Sequence, residues 1–263
     1  MKHKITLFVF SFFLISTVSF AQKTVEASEI LKDIKNGKSI SYKNATIVGV
    51  LDFTFMNEAI KKLPSKKKKS WWGNNGNYDN KIEKIIDVKV SFVNCTFKDN
   101  VLAYIPTEDS GYTFTATFED TAVFKDCNFE SKAMFKYSDF KENSDFSGST
   151  FNDDNTFKYA KFYKKIDFSN TVFEETATFK YSKFNENVSF SNAVFKDTAI
   201  FKYTNFTDGV SFKNANFEED LNIKYMKVSG NFNITNMNVA YDIDSKYTQI
   251  NGKSFSKYLI DKK

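Results

Sequence analysis

Phe135-Lys136-Tyr137, Phe157-Lys158-Tyr159, Phe179-Lys180-Tyr181 and Phe201-Lys202-Tyr203 are one tripeptide met four times at an interval of 22 residues, and Ile223-Lys224-Tyr225 is a fifth, varied copy. A strict period of this length marks a repeat architecture, in which each unit buries its apolar face only against its neighbours. Working outward from the tripeptide, large apolar residues run from Phe118 through Phe124, Phe129, Phe135, Phe140, Phe146, Phe151 and Phe157 to Val228, at steps that alternate six and five. Two residues before most of them stands a small or β-branched residue, as at Ala122, Cys127, Ala133, Ser138, Ser144, Ser149, Ala160 and Thr171. A spacing of two puts both side chains on one face of an extended segment and turns the polar neighbours to water. The 3.6-residue recurrence of an amphipathic helix is absent. Four extended faces therefore make one coil, and successive coils stack about 4.8 Å apart, as neighbouring strands do. The Phe rings of the four faces then meet in a continuous aromatic column.

On these residues the chain resembles the pentapeptide-repeat family. Its members form a right-handed, four-sided parallel β-helix with a large residue at the centre of each five and a small one two positions earlier. The resemblance covers roughly residues 40–240 and implies an all-β solenoid of roughly eight coils. Two departures stand out. The centre is Phe rather than mostly Leu, and every second unit carries an extra residue, at Lys132, Asp154, Thr176, Thr198 and Asp220 on one corner and at Asn143, Lys165, Asn187, Gly209 and Asn231 on the opposite one. These extra residues are expected to bulge the corners and make room for the larger rings.

Extended backwards, the register breaks twice. Phe92 and Phe97 match Phe124 and Phe129 at an offset of 32, so about ten residues are inserted at about 104–113. Tyr42, Ile47 and Phe53 keep the same steps, with Ile40, Ala45 and Leu51 as their small partners, and a longer insertion follows at about 56–84. Both insertions leave from the corner that later carries the Lys-Tyr pairs. Ahead of the first coil, residues 22–39 are expected to hold a short amphipathic capping helix from Val25 to Asn36, closed by Asn36-Gly37. After residue 240 the register is expected to lapse into a C-terminal cap or tail over 241–263, with a homodimer contact as one role open to it. The first 21 residues have the form of a secretory signal peptide: basic Lys2 and Lys4, an apolar run from Ile5 to Phe20, and a small-residue site ending at Ala21. The expected location is thus the periplasm or the exterior, with no transmembrane anchor after cleavage.

Composition narrows the function classes. His3 is the only histidine and leaves with the signal, so the mature chain has no imidazole for a triad, a general base or a metal site. All 37 basic residues are Lys, which removes the planar bidentate cation usually chosen to grip phosphate. No cofactor is implied. Some members of the resembled family present an acidic, DNA-like surface to type II topoisomerases inside the cell. Here residues 91–240 carry 16 Lys against 21 Asp plus Glu, a balance of −5, and residues 22–90 carry 14 against 8, or +6, which with export argues against that role, while export by itself argues against nucleic acid as a partner.

The candidate binding residues lie on the Lys-Tyr side. They are the column Lys136, Lys158, Lys180, Lys202 with Tyr137, Tyr159, Tyr181, Tyr203, and the inserted run Lys66, Lys67, Lys68, Lys69, Trp71, Trp72 and Tyr78. Aromatic platforms interleaved with cations suit carbohydrate rings, anionic glycans or single-stranded nucleic acid, the last argued against by export. The plainer reading is that stacked Tyr stabilise adjacent coils while Lys keeps the surface soluble. A neighbouring corner bears an acidic column, Glu130, Asp153, Asp154, Glu174, Glu175, Asp197, Glu218, Glu219 and Asp220, read as solvated carboxylates opposite Lys. Cys95 and Cys127 fall in one inward column on adjacent coils, either bridged as a disulfide or buried as two small thiols. The expected function is a non-enzymatic, exported binding or scaffolding module for a protein or an envelope glycan. The alternatives are a glycan-active enzyme using loop carboxylates such as Glu58, Asp79, Glu83, Glu108 or Asp109, and a purely structural solenoid.

Overall fold

In the computed structural model, which describes residues 23–63, 80–106 and 111–261, the repeat closes into a four-sided parallel β-helix. The first wall runs from Ile40–Lys43 through Val90–Val93, Ala122–Lys125 and Ser144–Asp145 to Phe232–Asn233. The second runs from Ala45–Val48 through Thr96–Phe97 and Asn128–Phe129 to Asn238–Val239. The third runs from Leu51–Asp52 through Val101–Leu102 and Ala133–Met134 to Ile243–Asp244, and the fourth from Lys81–Ile86 through Thr113–Phe118 and Asp139–Phe140 to Gln249–Ile250. The chain visits the walls in that order. Phe140, Phe162, Phe184 and Phe206 stand opposite one another on successive coils, which fixes the register at the 22-residue period.

Every Phe from Phe114 to Phe217 is buried. Along the axis the rings lie nearly parallel, as in Phe129 and Phe151 at 4.6 Å and 2° or Phe157 and Phe179 at 5.1 Å and 2°. Across the column they meet edge to face, as Phe157 does with Phe168 at 5.2 Å and 79°. Each ring thus gains about 1.5–3 kcal/mol from burial and about 0.5–1.5 kcal/mol per favourable ring pair. Several of the small inward residues are polar and reach a backbone carbonyl. Ser182 Oγ donates to Phe157 O at 2.6 Å, Thr204 Oγ1 to Phe179 O at 2.7 Å and Thr171 Oγ1 to Phe146 O at 3.1 Å, so these buried hydroxyls are satisfied by the preceding coil. Asn155, in the same role on the third wall, is an exception: it is buried and neither amide atom has a partner among the described residues.

The rod has two tight corners and two wide ones. The wide corners, second to third wall and fourth to first, hold the extra residues. At the tight corners, first to second and third to fourth, the chain turns through a residue with positive φ, such as Asn170 at 57° and Tyr159 at 62°.

Both ends differ from the sequence reading. Val25 and Glu26 belong to a strand, Lys23–Glu26, that pairs in parallel with Ala45–Val48, and the helix α1 spans Ala27–Lys35. The open edge of the second wall needs partners for its N–H and C=O groups, and this strand supplies them. Ala27, Ile30 and Ile34 of α1 are buried against the end of the column, and Lys38 N donates to Asp33 O at 3.0 Å around Gly37, whose φ is +71°. At the far end the register persists beyond Tyr241: Leu221 faces Ile243 and Val228 faces Ile250. The ladder of backbone hydrogen bonds continues although Ser245 occupies a former Phe position. A short antiparallel turn back through Lys253–Ser254 leads into α3, Phe255–Asp261, whose Tyr258 hydroxyl donates to Phe232 O at 2.7 Å.

The insertions broaden one wall. Asp52 accepts from Thr54 N at 2.8 Å and Met56 N at 3.1 Å and turns the chain into α2, Met56–Ile60. On return, Lys81–Ile86 pairs with Thr113–Phe118 over six residues, and Tyr104–Pro106 adds antiparallel to the latter. Elsewhere the strands of this wall are two residues long, so the fourth wall is widest beside the first coils.

Candidate functional site

The third-to-fourth corner repeats one turn. After the buried Phe of the third wall, replaced by Ile223 and Ser245 in the last two coils, comes a Lys, then Tyr with φ between 59° and 63° at Tyr137, Tyr159, Tyr181, Tyr203, Tyr225 and Tyr247. The next N–H closes the turn, as Ala160 N does on Phe157 O at 2.9 Å, while Tyr159 N donates to Lys180 O of the following coil at 3.0 Å. A non-glycine residue in the left-handed region costs about 1–2 kcal/mol. The rings offset this by stacking on one another at about 0.5–1.5 kcal/mol per pair. Tyr137 to Tyr159, Tyr159 to Tyr181 and Tyr181 to Tyr203 are each 4.8 Å apart at 8°, 1° and 5°, and Tyr203 to Tyr225 and Tyr225 to Tyr247 follow at 4.5 and 4.7 Å. Tyr104, from the second insertion, meets the first ring at 5.9 Å.

This geometry decides what the tyrosines present. Inner rings have both faces covered by their neighbours, so the exposure of Tyr181 at 38% and Tyr203 at 37% comes through ring edges and hydroxyls. Lys136, Lys158, Lys180 and Lys202 each hold the ammonium close to the ring of the following Tyr, 5.0, 5.3, 5.2 and 5.6 Å from its centroid. Burial and the like charges of Lys136 and Lys180 push the Lys158 ammonium below the usual lysine range. Burial, with Tyr137 and Tyr181 on either side, pushes the Tyr159 phenol up.

Lys136, Lys158, Lys180 and Lys202 have no ion-pair partner among the described residues, in contrast to the wide corner. There Lys98 pairs with Glu130 at 2.6 Å, Lys132 with Asp154 at 2.7 Å and Lys196 with Glu174 at 2.9 Å, each between coils. Asp197 is held below the usual carboxylate range by the Thr198 N–H, at 2.5 Å, and the Thr176 hydroxyl, at 2.9 Å. The acidic column is therefore largely spoken for within the molecule.

Of the remaining sequence candidates, Lys66 to Lys69, Trp71, Trp72 and Tyr78 lie outside the described residues, as do Asp79, Glu108, Asp109 and the signal-like segment. Glu58 pairs with Lys35 at 2.7 Å, and that bond lowers its carboxyl. Burial pushes Glu83 up, but the Thr117 hydroxyl and Lys81 outweigh it and hold the group low. A carboxylate held low is poorly suited to donate a proton at neutral pH. Cys95 and Cys127 are both free thiols, each buried, so the disulfide alternative is not what the structure holds. Cys127 Sγ donates to Lys125 O at 3.3 Å, and burial pushes its thiol up.

Three features escaped the sequence reading. Lys246-Tyr247 extends the ladder by one step, 22 residues after Lys224-Tyr225, although Ser245 precedes it. Lys161, Lys183 and Lys227 stand in register on the fourth wall beside the tyrosines, forming a second cationic column. At the other tight corner, Asn170, Asn192, Asn214 and Asn236 link side chain to side chain at 3.0, 2.9 and 3.1 Å, a ladder signalled by Asn at the same 22-residue interval.

Residues 114–161 and 157–204 match the family model described as pentapeptide repeats (9 copies). No curated protein and no solved structure matches the chain.

Proposed function

Because the chain is a pentapeptide-repeat protein, a structural solenoid, we propose that it works as a non-enzymatic binding or scaffolding module, exported to the periplasm or beyond, whose Lys-Tyr corner contacts an anionic partner in the envelope, protein or glycan. One observation carries the reading. The wide-corner lysines find carboxylates on an adjacent coil, whereas Lys136, Lys158, Lys180 and Lys202 stand in a column without one among the described residues. Like charges about one strand spacing apart repel. A partner that supplies the missing negative charge gains that relief on binding.

The rigidity of the surface supports the same reading. Hydrogen-bonded coils and stacked rings fix the column before any partner arrives, so little ordering entropy is spent on contact. Export rests on Lys2, Lys4 and the apolar run to Phe20, and its check is the N-terminus of the secreted chain, expected at Gln22. The binding test is crosslinked capture from native envelopes. Wild type is compared with the triple variant Lys158→Gln, Lys180→Gln, Lys202→Gln and with a deletion of residues 61–80. Loss of captured partners by the triple variant at an unchanged melting temperature is the expected result. Recovery of the same partners by both variants overturns the assignment of binding to this side of the solenoid, and capture of no partner by the wild type leaves it a purely structural element.

A further inference from the structure

We infer that the occupant of the corner is a linear carboxylated polysaccharide lying along the rod axis; this deepens the binding reading above and rests on it. The surface is a ribbon three columns wide. Tyr159, Tyr181, Tyr203 and Tyr225 are flanked on one side by the corner lysines and on the other by Lys161, Lys183 and Lys227. Between Lys158 and Lys227 the ribbon positions hold Lys, Tyr and one Asn, with no carboxylate among them. The acids lie at its ends: Asp139 is held by Lys141 at 3.2 Å and lies 3.9 Å from Lys161, and Asp244 lies 3.9 Å from Lys224, so among the described residues the unpaired stretch of the ribbon runs between Lys161 and Lys224.

Shape and chemistry then select among polyanions. The concavities described, one of about 370 Å³ on the first wall at Asp145 and Asp167 and one of about 560 Å³ beside α1, contain no ribbon residue. An acidic protein would ordinarily anchor a bulky side chain in a pocket, and neither of these two concavities includes a ribbon residue. Single-stranded nucleic acid binds by stacking bases on aromatic faces, and the inner Tyr faces are already covered. What the ribbon does offer is ammonium groups and phenol hydroxyls repeated at the coil spacing. Uronate chains present matching carboxylates and hydroxyls in a repeating line, and ammonium groups serve as point charges for them.

The test uses the mature full-length protein and graded probes: tri- and dodecasaccharides of polygalacturonate, neutral dextran, and a 12-residue oligo-dT. The dodecasaccharide is expected to bind about tenfold or more tightly than the trisaccharide, because successive contacts along one chain add as linked sites. The Lys158→Gln, Lys180→Gln, Lys202→Gln variant is expected to lose roughly tenfold, three exposed charge contacts at a modest gain each. A Lys98→Gln, Lys132→Gln, Lys196→Gln control at the wide corner is expected to bind as wild type does. Equal affinity for both saccharide lengths, full binding by the ribbon variant, or oligo-dT or dextran bound as tightly as the dodecasaccharide overturns the inference. If the polyuronate is not bound while the ribbon variant still loses its captured envelope partners, this inference falls and the wider reading stands; if capture is also unchanged, both fall.

Discussion

Phe168→Ala is the sharpest perturbation of the core. The ring is fully buried and has five ring partners. It stacks on Phe190 at 5.0 Å and Phe146 at 5.3 Å, and meets Phe157, Phe162 and Phe179 edge to face at 5.2, 6.1 and 5.4 Å. Truncating a buried Phe costs about 3–5 kcal/mol, counting lost transfer energy and the cavity. Here the cavity cannot collapse easily, because each neighbouring strand is pinned to the coils before and after it. The expected loss is therefore at the upper end, about 5 kcal/mol, whereas Phe168→Leu, which keeps most of the volume, is expected to cost about 1–2 kcal/mol. Urea titration followed by far-UV circular dichroism measures both, with the slope monitored to detect coils that unfold separately. A loss below about 1.5 kcal/mol for Phe168→Ala would refute the interlocked column, since no buried ring with these neighbours should be so easily spared.

Asn155→Ala is expected to stabilise by about 1 kcal/mol or more in the same assay, because it removes a buried amide without partners from a column that holds Ala133 above and Ala177 below; destabilisation would show that the amide is satisfied in solution. Gly209→Ala is expected to cost about 2 kcal/mol or more: φ is +93° and an added Cβ would sit 2.5 Å from the backbone oxygen of Asn231, so a neutral effect would contradict the corner geometry. Asn214→Ala breaks links to Asn192 and Asn236 at a left-handed position and is expected to cost about 1–3 kcal/mol by thermal unfolding, with Asn214→Gly costing less because glycine tolerates that backbone. For Lys158, whose ammonium is pushed down in the folded state, the unfolded chain binds more protons between the folded value and about 10.4, so its contribution to stability rises as pH climbs through that window. NMR titration should place Lys158 below free lysine, and Lys136→Gln with Lys180→Gln should move it back part of the way; an unmoved titration would mean that the column does not repel.

The repeat was legible because a Phe every five or six residues has one economical way to be buried. The two insertions were legible for the same reason, since they displace the register by countable residues. The ends were harder. Val25 and Ile30 fit a helical stripe as well as they fit a strand followed by a helix, and only the unpaired edge of Ala45–Val48 decides between them. Ser245 hides the last coil because backbone pairing, not side-chain size, holds it: Tyr225 N still donates to Lys246 O at 3.0 Å. At the candidate site the sequence located the column but not the orientation of its rings. Stacking follows from the coil spacing, and it turns a set of aromatic platforms into a line of edges, hydroxyls and ammonium groups. The partner columns on the fourth wall were hidden because Lys161, Lys183 and Lys227 are interrupted by Asn205 and belong to a different wall.

The most direct test of the account is paired capture and stability on the Lys158→Gln, Lys180→Gln, Lys202→Gln variant. The account predicts that the variant melts at or slightly above the wild-type temperature, since column repulsion is relieved, yet no longer retains the envelope partner. A variant that melts normally and retains its partner in full would contradict the claim that the Lys-Tyr corner is the binding surface.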